Sequence, residues 1–91
     1  MTACAYCTTR RRDHTDHLIK KAHVRRRPSL LAARNDPRYQ VPACKECNWR
    51  IGTRNRVPES HAYLIAELEE MTGNKYATFS GDPEDLREVV K

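Results

Sequence analysis

Long apolar runs are missing from this chain. Only 38% of its 91 residues are hydrophobic, and the mean hydropathy is −0.86. No stretch reaches the roughly 18 consecutive apolar residues of a bilayer span, so a transmembrane helix is excluded. The start, Met1-Thr2-Ala3-Cys4, has no basic residues followed by an apolar segment, so no secretory signal is expected and a cytoplasmic setting follows. Low-complexity tracts and internal repeats are absent apart from two cysteine pairs. A chain of this length holds one domain at most, with a terminal appendage. Its hydrophobic core alone is marginal, and a metal staple is the expected supplement.

The four cysteines meet that expectation. They stand as Cys4-Ala-Tyr-Cys7 and Cys44-Lys-Glu-Cys47, a C-x2-C-x36-C-x2-C pattern that uses every cysteine in the chain. In a reducing compartment such pairs read as metal ligands before disulfides. Two-residue spacing lets both thiolates of a pair face one ion, and four thiolates make the closed tetrahedral shell of structural Zn2+. A rubredoxin-like iron site shares the spacing, but nothing else here suggests electron transfer. A closed shell leaves no open position for water, so the zinc is expected to be structural.

Charge is distributed unevenly. Residues 1–56 carry 14 Lys and Arg against 4 Asp and Glu, whereas residues 57–91 carry 3 against 8. A basic half that also holds the cysteines points to a polyanion, most often nucleic acid. The candidate phosphate contacts are Arg10, Arg11, Arg12, Lys20, Lys21, Arg25, Arg26, Arg27, Arg50 and Arg54. They should give salt-sensitive affinity with little sequence choice. The alternative for such a charge run is a solvated face.

The local patterns predict a tight turn at residues 3–8, a strand at 15–19, and an irregular basic segment at 20–43 that Pro28, Pro37 and Pro42 keep from forming one helix. Within that segment a helical turn is expected at 29–34 and a strand at 39–41. A helix opens at the second cysteine pair, over 44–51, and Gly52 ends or bends it. Another spans 58–72, with Leu64, Ile65, Leu68 and Met71 on one face and Gly73-Asn74 as its stop. Residues 75–79 read as extended. A last helix covers 83–91, capped by Asp82. The two C-terminal apolar stripes read as packing surfaces. So does His61. His23 is expected in solvent, and Trp49 against the zinc site.

A second site is suggested by Asp13-His14-Thr15-Asp16-His17 and by Asn48, which directly follows Cys47. Asp and Asn offer oxygen ligands for Mg2+ or Mn2+. Histidine, with an ordinary pKa of about 6.5, exchanges protons near neutrality. The zinc staple would fix the position of Asn48. Together with the basic segment these groups match the needs of phosphodiester hydrolysis: a cation, a base and positive charge on the phosphate.

These motifs resemble the zinc-stapled HNH, or ββα-metal, nucleases: Cys4-Ala-Tyr-Cys7, then Asp16-His17-Leu18-Ile19, then Val41-Pro42-Ala43-Cys44-Lys45-Glu46-Cys47-Asn48. They are also similar to the phage endonuclease VII family. The resemblance covers about residues 4–55 and rests on the combination rather than on any one piece. It implies an α+β fold, a treble-clef-like ββα-metal core over 1–56 with a helical extension over 57–91. It implies Asp16 as ligand of a catalytic Mg2+ or Mn2+, His17 as the base that activates water, and Asn48 as second ligand or orienter. His14 competes for the role of base because Asp13-His14 repeats the step. Tyr39 stands where many members place an asparagine, with Asn35 as an imperfect substitute, and Arg50-Ile51-Gly52 replaces a common Lys-Gly. The implied partner is DNA, with a phage packaging or recombination protein as a further one. The chain is expected to be a monomer, or a homodimer paired through Leu64, Ile65 and Leu68. The competing reading is a noncatalytic zinc-binding nucleic-acid-binding module. In either case the acidic C-terminal half offers a surface for a protein partner.

Overall fold

The structure, a computed structural model, describes residues 3–82. The helix expected over 83–91 lies outside the described residues. The chain begins with a knuckle folded on itself: the Cys4 N–H donates to the Arg10 carbonyl and the Thr8 N–H to the Cys4 carbonyl, each at 2.9 Å. It then runs into strand β1 (His14–His17), which pairs antiparallel with β2 (Gln40–Ala43) in the register His14 to Ala43 and Asp16 to Val41. Helix α3 (Lys45–Ile51) follows β2 directly and lies against β1. Cys44 caps it, its Sγ accepting the Cys47 N–H at 3.4 Å. Gly52 ends it at φ +54°, a backbone conformation that costs glycine little.

The segment between β1 and β2 is more ordered than its prolines suggest. It holds helices α1 (Lys21–Arg26) and α2 (Leu31–Arg34), with 3-10 turns at Pro28–Leu30 and Pro37–Tyr39. Each proline of these turns stands at a first helical position, where its missing N–H costs nothing. Burial of His23 in α1 corrects the expectation of a solvated side chain. Its Nδ1 accepts the Lys20 N–H at 3.0 Å, and its ring lies against that of Tyr76, centroids 6.1 Å apart.

The helix expected over 58–72 is interrupted. Glu59–Leu64 is a 3-10 segment with a non-helical residue at His61, and only α4 (Ile65–Thr72) is α-helical. The His61 N–H bonds to the Pro58 carbonyl at 2.8 Å, an i to i+3 bond that tightens the first turn. Leu64 and Leu68 are wholly buried, so they are core side chains rather than an exposed pairing face. Beyond Gly73 the chain returns as β4 (Ala77–Thr78), parallel to β3 (Arg56–Val57). This pairing joins the segment after residue 57 to the cysteine-bearing half through backbone bonds.

The result is a small α+β fold with two two-stranded sheets and four α-helices among the described residues. One core runs through it, including Tyr6, Leu18, Ile19, Val41, Ile51, Val57, Leu64, Leu68 and Phe79. The Tyr6 and Phe79 rings meet with centroids 5.8 Å apart, so the first knuckle and the segment just after β4 share that core. No described helix is long and apolar enough to cross a membrane.

Candidate functional site

The cysteines form the first element of the site. Their four Sγ atoms lie within 4.8 Å of one another, with Cys4, Cys44 and Cys47 buried and Cys7 partly so. The Cys7 and Cys44 sulfurs stand 3.9 Å apart, too far for a disulfide and close to the separation of two ligands on a tetrahedral ion bonded at about 2.3 Å. Burial works against ionising the Cys7 thiol, yet the backbone N–H groups of Arg10 and Thr9 pull its pKa down to about 6. Burial and the neighbouring sulfurs push the Cys47 thiol up. A set of close, buried sulfurs is stable as thiolates only around a cation, and this donor set fits Zn2+.

A cleft opens next along α3 from the cysteine cluster, at Asn48. It has a volume of about 400 Å3 and is lined by β1 through Thr15, Asp16 and His17, by α3 through Asn48, and by the turn at Gly52 and Thr53. Lys20, Lys21, Arg25 and Arg34 make its other wall cationic. The adjacent Asp16 and His17 and the sequence-distant Asn48 thus share one cavity. The reason is topological: the β1–β2 pairing brings the two segments together, and the second cysteine pair starts α3 so that Asn48 turns inward. His14 is exposed at the outer end of β1 and is not among the residues lining the cleft.

Asp16 is buried. It accepts a hydrogen bond from the Tyr6 hydroxyl on Oδ2 and an ion pair from Lys20 Nζ on Oδ1 at 2.9 Å. The Tyr6 phenol pKa is raised, first by burial and then by the Asp16 charge, so it remains a proton donor. The His17 pKa is lowered from 6.5, first by burial and then by the Arg34 charge, with Asp16 opposing. The imidazole is therefore neutral at pH 7 and able to accept a proton.

The basic residues divide by partner. Arg10 and Arg50 both pair with Glu46, at 2.6 and 3.7 Å, and Arg50 also donates to the Gly81 carbonyl. Arg12 donates to Thr15 Oγ1, Arg27 to the Met71 carbonyl and Arg54 to the Arg50 carbonyl. These arginines have a structural task in addition to any ligand contact. Arg11 and Arg26 are exposed away from the cleft.

Arg34 is not among the phosphate contacts expected from the sequence, yet its side chain lines the cleft and its buried Nε has no hydrogen-bond partner. Nothing local in the sequence distinguishes it from its basic neighbours; the α2 turn that aims it is the signal, and it appears only in three dimensions. Tyr39, at the position of the family's asparagine, is buried away from the cleft and donates to Glu67 Oε1 at 2.8 Å. Asn35 is exposed. Trp49 is 82% exposed, which corrects the expected packing on the zinc site. At 3.6 residues per turn it is about 200° around α3 from both Cys47 and Ile51, which face the core. Comparison with protein-family models, with curated proteins and with solved structures finds no match for this chain.

Proposed function

We propose that the protein is a metal-dependent DNA endonuclease of the HNH type, built on a zinc-stapled ββα-metal core. The observation that carries this reading is the convergence of Asp16, His17 and Asn48 in one cationic cleft beside the four-cysteine cluster. The buried carboxylate and the amide are oxygen donors that suit a hard cation, so Asp16 and Asn48 would hold Mg2+ or Mn2+. Such an ion, when bound, offsets the negative charge that develops on the phosphate.

The protein's own groups supply the remaining functions. His17, kept neutral by burial and by Arg34, accepts the proton of the attacking water. Lys21, Arg25 and Arg34 hold the phosphodiester against it. Tyr6 orients Asp16 from the side away from solvent. The exposed Trp49 ring, next in sequence to Asn48, offers a face on which a base can stack.

One observation favours a second reading. Both Asp16 oxygens already have partners, and an ion must compete with Lys20 for Oδ1. If that pair is permanent, the domain is a noncatalytic zinc-binding module that docks on nucleic acid. A supercoiled-plasmid assay with Mg2+, Mn2+ or EDTA separates the two. The nuclease reading expects metal-dependent nicking that His17→Ala abolishes and His14→Ala leaves intact. DNA retardation without cutting by the wild type in either metal, unchanged in His17→Ala, would establish the binding module instead.

A further inference from the structure

A second cavity, of about 320 Å3, is lined by Arg54, Asn55, Arg56, Lys75, Tyr76 and Ala77. Three of these residues are cationic and none is acidic. Arg54, Arg56 and Lys75 form no ion pair with any described carboxylate. Arg56 Nε and Asn55 Oδ1 are both buried without a hydrogen-bond partner, an unsatisfied donor and an unsatisfied acceptor among the residues that line the pocket. The walls are fixed by backbone pairing, since Arg56 and Ala77 are register partners of β3 and β4.

The two cavities adjoin along the chain. Gly52 and Thr53 line the first, and the next three residues line the second. Tyr6 also ties them together: its hydroxyl donates to Asp16 in the first cleft and lies 3.4 Å from the Arg56 carbonyl oxygen. A nucleic-acid strand presents one phosphate per nucleotide, so a strand seated in the first cleft carries further phosphates past its rim. A pocket that follows the first along the chain, with three cations and no carboxylate in its lining, matches a phosphodiester.

We propose that this second cavity binds another phosphodiester of the DNA strand whose scissile phosphate lies in the first cleft. The inference rests on the DNA reading above and adds a footprint to it. It is tested by measuring the affinity of the zinc-loaded protein for single-stranded oligothymidylates of increasing length, from the dinucleotide upward, at several salt concentrations. The affinity should step up by about tenfold at the length that first spans both cavities. Arg54→Ala combined with Lys75→Ala should remove the step and reduce the salt slope by about 0.7 for each phosphate that is no longer neutralised. Lys75→Glu alone, at an exposed position, should remove it as well. Lys45→Ala, which deletes an exposed cation lining neither cavity, should keep it. A step that survives in the double variant, or that Lys45→Ala removes equally, overturns the second site. Wild-type binding that never steps with length overturns it too while leaving the DNA reading standing. No binding at any length overturns both.

Discussion

His17 is the residue whose environment makes the sharpest prediction. Burial and the Arg34 charge lower its pKa, and the proposed nuclease needs it neutral to act as the base. Cleavage should therefore fall on acidification with a half-maximal pH below the ordinary histidine value. Arg34→Gln removes a cation that disfavours the imidazolium, so it should move that half-point upward while also weakening DNA binding. A pH–rate profile of both proteins checks the shift, and a half-point that stays put would remove Arg34 from the vicinity of the base. At this scale Asp16, His17 and Asn48 are legible in the sequence because each is anchored to a pattern, the first two by Leu18-Ile19 and the third by Cys47. Arg34 is not legible, because one arginine among many carries no mark of its direction. Trp49 and His23 depart from expectation for a related reason. Residue type sets a preference for burial, but helix phase decides it: α3 turns Trp49 outward, and α1 turns His23 inward against Tyr76.

Elements whose signals are local can be read from the chain alone. Cys44 announces α3 because a cysteine pair beginning a helix makes its own cap, and the strand expected at 15–19 forms as β1 because Leu18 and Ile19 enter the core just beyond it. Elements that depend on distant partners cannot. The parallel β3–β4 pair is two residues long on each side, and nothing in Arg56-Val57 or Ala77-Thr78 announces the match. The break at His61 is equally hidden, since Leu64 and Leu68 satisfy a helical stripe whether or not the first turn is 3-10. The same long-range logic makes Gly81 informative. It has φ +92°, and a Cβ added there would lie 2.6 Å from Cys7 Cβ and 3.0 Å from its Cα. The Gly81 carbonyl also accepts from Arg50 on α3. The chain after β4 is thus pressed onto the first knuckle, a contact no local pattern reveals. Gly81→Ala should destabilise the protein by about 2–3 kcal/mol, from overpacking against a constrained ligand loop together with the unfavourable φ. Thermal unfolding measures it. Gly52→Ala is the useful contrast. Its nearest atom is the Trp49 carbonyl oxygen at 3.7 Å, so only the backbone conformation is penalised. The destabilisation there should be smaller, about 1–2 kcal/mol from the backbone conformation alone.

For the whole molecule, the question is what holds two very short sheets and four short helices together. Among the described residues no strand exceeds four residues and no α-helix exceeds eight. None of these elements is stable alone, since isolated helices shorter than about 12 residues and two-stranded ribbons are marginal in water. The apolar core connects them, yet three of its wholly or nearly buried members are cysteines whose sulfurs face one another rather than a hydrocarbon surface. Without an ion those sulfurs would have no common partner, and the knuckle carrying Tyr6 would lose one of its ties to α3, the exposed Arg10–Glu46 pair remaining. Tyr6 in turn holds Asp16 and packs on Phe79, so the cationic cleft and the β3–β4 sheet loosen with it. A structural zinc site contributes on the order of 10–16 kcal/mol of apparent binding energy, as large as the whole net stability of roughly 5–15 kcal/mol typical of a domain. Chelation of Zn2+ should therefore abolish the folded state rather than lower its melting point by a few degrees. Cys44→Ser should behave in the same way, because it removes a thiolate ligand while serine keeps the N-cap of α3, so the loss is that of the metal site alone. Circular dichroism and metal analysis on the chelated protein and on the variant decide it. Loss of helical signal in step with loss of zinc is the expected result, and a folded, zinc-free protein would show that the apolar core suffices without the staple.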